Sequence, residues 1–206
     1  MPSFCKVFLA FAAYAAIHSL LLTEGVRGGL EAALGLRAFR GLFRLAFTVQ
    51  AVALLALFGV YAAALPDVEW VRLPAPVAWA AWGVRLGALA VIGRCAARLG
   101  VGRFLGLDHF RAWRRGAGLP GDGVETGALV VEGPYARVRH PMYAAGLVAL
   151  WAEPHWSANR LAFALAGSLY LWLGALHEER RLLRAYGAAY RRYLERTPRF
   201  LPRRRR

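Results

Sequence analysis

The chain alternates between long apolar runs and polar, arginine-rich connectors. Apolar stretches cover residues 5–22, 42–65, 74–99, 143–152 and 160–176. At about 1.5 Å per residue, the first three are long enough to cross a bilayer core, which takes about 20 residues. The stretch 143–152 is short and needs tilt or local thinning to span. Glu153-Pro154-His155-Trp156-Ser157 turns the chain between the last two runs, with Ser157 or Asn159 available to cap the next helix. These two runs predict a tight helical hairpin. After it the pattern becomes amphipathic, with Tyr186, Tyr190 and Tyr193 at helical spacing on a surface helix whose charges are solvated. Gly187 is a candidate break, and Pro198 and Pro202 end regular structure. The expectation is an all-α, polytopic membrane bundle of about five transmembrane helices, with a C-terminal helical hairpin and a cytosolic amphipathic tail.

Composition supports a membrane protein. Of 206 residues, 58% are hydrophobic and only 19% charged, and the net charge is +15. The positive charge gathers in the connectors 24–44 and 100–139 and in the terminal run 203–206, whereas Asp67 and Glu69 make the connector at 66–70 acidic. This asymmetry fits five spans in an inner membrane, with the N-terminus outside and the C-terminus cytosolic. It assigns the basic residues to membrane lipids and not to nucleic acid. Cys5 and Cys95 lie in apolar runs and read as core residues, not as a disulfide or metal pair. No signal-peptide cleavage pattern is present. His18 reads as reaching the interface, Arg98 and Arg94 as snorkelling, and Arg85 has no evident partner. Two regions are expected: a three-span part, 1–99, and a site-bearing part, 100–206.

The most informative polar stretch is Gly133-Pro-Tyr-Ala-Arg-Val-Arg-His-Pro-Met-Tyr143. Pro134 and Pro141 each remove a backbone donor and push the preceding residue out of the helical region, which predicts a fixed irregular path before a helix starting near Met142. A helix start beside Arg137, Arg139 and His140 suits an anion. The same composition suits an interfacial loop with an aromatic belt. The last apolar run ends in His177-Glu178-Glu179. A hairpin that runs out and back brings this carboxylate pair to the cationic loop. Neighbours on a helix project about 100° apart, so one of the two glutamates is expected to face the shared pocket. The Gly-x-Gly pieces at 100–102 and 121–123 follow no strand, which excludes a Rossmann phosphate loop.

The run from Leu129 to Tyr143, followed by Glu178-Glu179, Tyr186-Gly187, Tyr190, Tyr193 and Pro198, resembles the integral membrane methyltransferases, the superfamily of isoprenylcysteine carboxyl methyltransferase and the phospholipid N-methyltransferases. His18 to Leu22, Leu65 to Asp67, Gly106-Leu107 and Leu150 to Pro154 are similar to its bacterial methanethiol S-methyltransferase branch. The resemblance implies S-adenosyl-L-methionine as methyl donor. It assigns Tyr135, His140, Pro141, Met142, Tyr143 and Glu178 to the cofactor, with Arg139 in the basic loop and backbone contacts from Leu129 and Val130. Transfer to a neutral thiol needs a proton acceptor, for which His140, His177 and Glu179 are candidates. In the isoprenylcysteine branch an arginine tied to substrate stands one turn before the glutamate pair; here that position is Gly174. The departure favours a small thiol or other lipophilic acceptor. The alternatives are a phospholipid or isoprenylcysteine-type methyltransferase and a non-catalytic membrane assembly factor. Each would keep the same scaffold.

Overall fold

A computed structural model describes residues 1–118 and 129–202. Two compact units emerge: Met1–Pro66 with Arg98–Gly123, and Asp67–Ala97 with Val124–Arg206.

In the first unit, helix α1 (Ser3–Leu20) runs antiparallel to α3 (Leu36–Ala63). Phe11 meets Phe58 edge-on at 5.4 Å, and at the other end His18 lies 4.4 Å from Phe47. Between them α2 (Glu24–Leu34) folds onto the start of α3, where the Arg27 guanidinium covers Phe43 at 5.4 Å. The connector expected over 24–44 is therefore mostly helix, broken once at Gly35, whose φ is +76°. Arginines 37, 40 and 44 sit inside α3 because arginine is a good helix former whose charge can reach water along its own stem. The basic connector that follows is also not irregular throughout. It holds α5 (Val101–Leu105) and α6 (Leu107–Arg114), joined at Gly106. There φ is +85°, and a β-carbon would overlap the α3 backbone at Leu45, so only glycine serves. The Arg44 side chain donates to the Phe104 carbonyl at 2.9 Å and fastens α5 to α3.

In the second unit, α7 (Pro141–Trp151) and α8 (Ala158–Tyr186) form the expected hairpin. Contacts at Tyr143–Gly174, Gly146–Leu171 and Gly167–Leu150 run in opposite directions along the two helices. Glycines on both partners permit this close approach, as small residues do between membrane helices. A short antiparallel ladder joins β1 (Glu69–Arg72) to β2 (His155–Ser157) at the hairpin turn. The turn is pinned by Asp67, which accepts from the Ser157 hydroxyl at 2.6 Å and the Asn159 amide at 3.1 Å. Ser157 also caps α8, accepting from the Arg160 amide. Arg85, on α4 (Ala75–Leu99), gains the partner that its sequence position did not reveal. It pairs at 3.1 Å with the buried Glu153, which also takes Arg160. After Tyr186 the chain reverses at Gly187 (φ +51°, ψ −120°) into α9 (Ala188–Arg196).

Among the described residues, four helices are long and apolar enough to cross a membrane: α1, α3, α4 and α8. Helix α7 is the fifth apolar helix, and its 11 residues span only about 16 Å. Large apolar side chains cover the outside of the long helices, Trp79, Val60, Leu57 and Leu86 among them. Among the described residues both cysteines are unbridged. The chain is an all-α, multi-pass membrane protein. The basic run 203–206 lies outside the described residues.

Candidate active site at the base of the hairpin

The loop before α7 follows the path its prolines impose. One 3₁₀ turn covers Gly133–Ala136, and α7 then starts with Pro141 at its first position, one residue before the expected Met142. This leaves His140 at the N-cap, with its side chain only 3% exposed.

His140 is held on three sides. Its Nε2 lies 3.1 Å from Glu179 Oε1, and its Nδ1 lies 3.6 Å from Glu178 Oε2. The Tyr143 ring stacks on it at 5.3 Å with 3° between the planes. Both glutamates thus reach the histidine, which corrects the expectation that one of the pair would face away. The imidazole is wide enough to offer one nitrogen to each of two carboxylates that diverge by about 100° around the helix. The two carboxylates are not equivalent. Glu179, 12% exposed, also accepts from Arg139 Nε (3.0 Å) and Nη2 (2.8 Å) and from Arg199 Nε (3.0 Å) and Nη2 (2.6 Å). Glu178 is 34% exposed and shares a hydrogen bond with the Tyr143 hydroxyl. Glu179 is an anchor held by two guanidiniums and the imidazole, whereas Glu178 has an accessible face.

The segment after α9 closes the cluster. Arg139 and His140 donate their backbone amides to the carbonyls of Pro198 (2.8 Å) and Arg199 (3.1 Å). Arg139 Nη1 also donates to the carbonyls of Leu194 and Thr197. The Tyr193 hydroxyl donates to the Tyr135 carbonyl at 2.6 Å. Burial pushes the Tyr193 phenol up to about 12, against the opposing pull of Arg139, so it stays a donor. Burial likewise raises Tyr135 and Tyr190. The hydrogen bonds to Glu179 raise Arg199 above the usual arginine value. Phe200 lies 6.0 Å from His140 and 5.8 Å from Trp172.

Of the residues singled out from the sequence, the structure gathers Arg139, His140, Tyr143, Glu178 and Glu179 into one cluster. Tyr135 is tied in through its carbonyl, and Pro141 is buried as the first residue of α7. Met142 is half-buried in the same turn. Leu129, Val130 and the exposed His177 are not joined to the cluster by the described hydrogen bonds or ion pairs. Sequence reasoning missed Arg199, Phe200 and Trp172. It also took the tail helix for a solvated surface, yet Tyr190 and Tyr193 are buried. The available signal was an aromatic pair three residues apart in an otherwise charged helix, followed by a basic-aromatic step between Pro198 and Pro202.

The sequence is similar to several known proteins. Methanethiol S-methyltransferase 2 of Bradyrhizobium diazoefficiens is 31% identical over 143 residues, 66% of this chain and 53% of its own length. The methanethiol S-methyltransferase of Pseudomonas deceptionensis is 40% identical over 68 residues, 33% of this chain and 26% of its own. That of Mycobacterium tuberculosis is 40% identical over 68 residues, 33% of this chain and 28% of its own. The chain therefore spans about half the length of the first of these relatives and about a quarter of the others. No solved structure matches. The NnrU protein family matches residues 6–199, nearly the whole chain, and the protein belongs to that family.

Proposed function

We propose that the protein is an integral membrane methyltransferase that uses S-adenosyl-L-methionine to methylate a small thiol. The observation that carries this reading is His140, fixed between two glutamates of unequal accessibility and stacked on Tyr143. The donor set suits such a cofactor. Glu178, partly exposed, suits the ammonium or the ribose diol, and the tyrosine faces suit a sulfonium or an adenine ring. The bound donor supplies an electrophilic methyl carbon, and the protein's task is to align a nucleophile with it away from water. His140 and Tyr143 would form one wall of the donor pocket. Arg139 and the Leu129–Val130 backbone would frame it, with Pro141 and Met142 setting the start of α7.

Glu179 is met by two arginines and a histidine, which leaves it unsuited to take a proton from a thiol. We therefore give it the task of holding His140. Proton removal falls to Glu178 or His140, or to His177 through water at the exposed end of α8. The names of the similar proteins support a thiol acceptor. Gly174 supports an acceptor without a carboxylate, because it offers no guanidinium where the isoprenylcysteine branch carries its substrate-tied arginine. The donor-binding region is residues 100–206. The arginine distribution supports an inner-membrane orientation with the N-terminus outside and this cluster at the cytosolic face.

The test is transfer of labelled methyl from S-adenosyl-L-methionine to methanethiol by full-length protein in nanodiscs. Label in dimethyl sulfide is expected, and its loss in His140→Ala and Glu178→Gln. Transfer to an ethanolamine lipid or a prenylcysteine in place of the thiol would overturn the acceptor assignment.

A further inference from the structure

We propose that Phe200 and Trp172 form the acceptor-side wall of this site and set the size of the thiol it takes. This rests on the methyl-transfer reading above. Trp172 and Glu179 are seven residues apart on α8, two helical turns, so they share one face. Trp172 is 48% exposed on the apolar part of that helix. Phe200 stands next to it at 5.8 Å and reaches His140 at 6.0 Å. Two aromatic rings thus make a continuous step from the outer surface of a membrane-grade helix to the buried imidazole.

The rings are held there by several independent bonds. The residue before Phe200, Arg199, grips Glu179 through two nitrogens and lies 5.5 Å over the Trp172 ring. Its carbonyl accepts the His140 amide, and the Pro198 carbonyl accepts the Arg139 amide. Phe200 is fixed relative to His140 through the backbone, so its position follows from the segment's pairing and not from the ring's own contacts.

The chemistry of this wall selects the ligand. The two rings themselves offer only the Trp172 indole as a hydrogen-bond donor, and the Arg199 guanidinium over that ring is engaged by Glu179 through Nε and Nη2. Aromatic edges and faces instead favour a polarizable sulfur and a short alkyl group. A neutral alkyl thiol partitions into the bilayer and meets Trp172 first. A charged or headgroup-bearing acceptor would have to leave its solvation shell to pass the same rings.

The experiment compares methanethiol, ethanethiol and butanethiol as acceptors for the parent, Phe200→Ala and Trp172→Ala in nanodiscs, with donor affinity measured separately by calorimetry. The expected result is a KM for methanethiol raised about five- to tenfold in each variant, the scale of one lost aromatic contact. In Phe200→Ala the KM for butanethiol should fall relative to methanethiol, as the space vacated by the ring admits the longer chain. Donor Kd should stay within twofold. Unchanged KM values across the series in both variants, with donor binding intact, would overturn the wall alone. Failure of the parent to bind the donor would remove the functional reading and this assignment with it.

Discussion

The two ends of the α7–α8 hairpin use the same device for different purposes. At the turn, Glu153 is gripped by Arg85 and Arg160; at the base, Glu179 is gripped by Arg139 and Arg199. Each is a carboxylate with two guanidiniums, buried at Glu153 and nearly so at Glu179, and about 30 Å of α8 separates the two ends. At the turn, among the described residues, no imidazole pairs with Glu153, and the bonds from Ser157 and Asn159 to Asp67 secure the turn itself. The base adds a histidine shared with a second, partly exposed carboxylate and a stacked tyrosine. A glutamate between two arginines is therefore a fastening, and on the proposed reading the chemistry comes from the groups attached to it that keep an open face.

That contrast is open to direct attack. The largest effect is expected from Glu178→Gln, which keeps the shape and removes the accessible charge. Methyl transfer should fall about a hundredfold or more in kcat/KM with little change in melting temperature. Glu153→Ala should show the reverse pattern. It leaves two guanidiniums without their carboxylate, and a loss of about 2 kcal/mol is expected in thermal or denaturant unfolding, discounted because Arg160 is half exposed. Donor affinity should not move. If Glu153→Ala abolished donor binding, the two ends would not be separable in this way.

Arg199 tests whether the fastening at the base also positions the site. Arg199→Gln should weaken donor binding about tenfold, and Arg199→Lys should recover part of it, since a point charge replaces one of two directed hydrogen bonds. Equal losses in both would point to the tail's backbone pairing as the feature that matters. The smallest effect is expected from Tyr193→Phe, which removes one hydrogen bond to the Tyr135 carbonyl at a cost of about 1 kcal/mol. Burial of this phenol also has a pH signature. Folding raises the phenol from its ordinary value near 10 to about 12, so the stabilisation is fully present below about pH 10. It is lost as pH rises through 12. The gap between parent and Tyr193→Phe in unfolding experiments should narrow over that window.

The parts legible in the sequence were those set by local pattern. Run lengths identified the long helices, and the Glu153–Ser157 turn identified the hairpin. The Pro134 and Pro141 punctuation marked the irregular loop, and the hairpin's return explained why the glutamate pair meets it. What stayed hidden depended on partners far apart in sequence. Arg85 looked unpaired because Glu153 is 68 positions away, and a hydropathy reading sees each only as an interruption. The helices inside the basic connectors stayed hidden because the arginines there read as charge and not as helix formers. Arg199 and Phe200 were hidden because two prolines mark the end of regular structure. They do not say that the chain beyond the helix docks backbone to backbone against residues 139 and 140.

The reversal at Gly187 has an outsized reach. Its backbone angles, φ +51° with ψ −120°, are closed to residues bearing a side chain, although open space surrounds its α-carbon. Swapping one hydrogen for a methyl there would touch nothing, yet it would incur about 1–3 kcal/mol of backbone strain. The simplest relief is to swing α9 and everything after it away. The imidazole would then lose its tether from a lesion forty-seven positions downstream, so this pivot is a place where silent-looking variation can loosen the cluster without changing the identity of any residue in it.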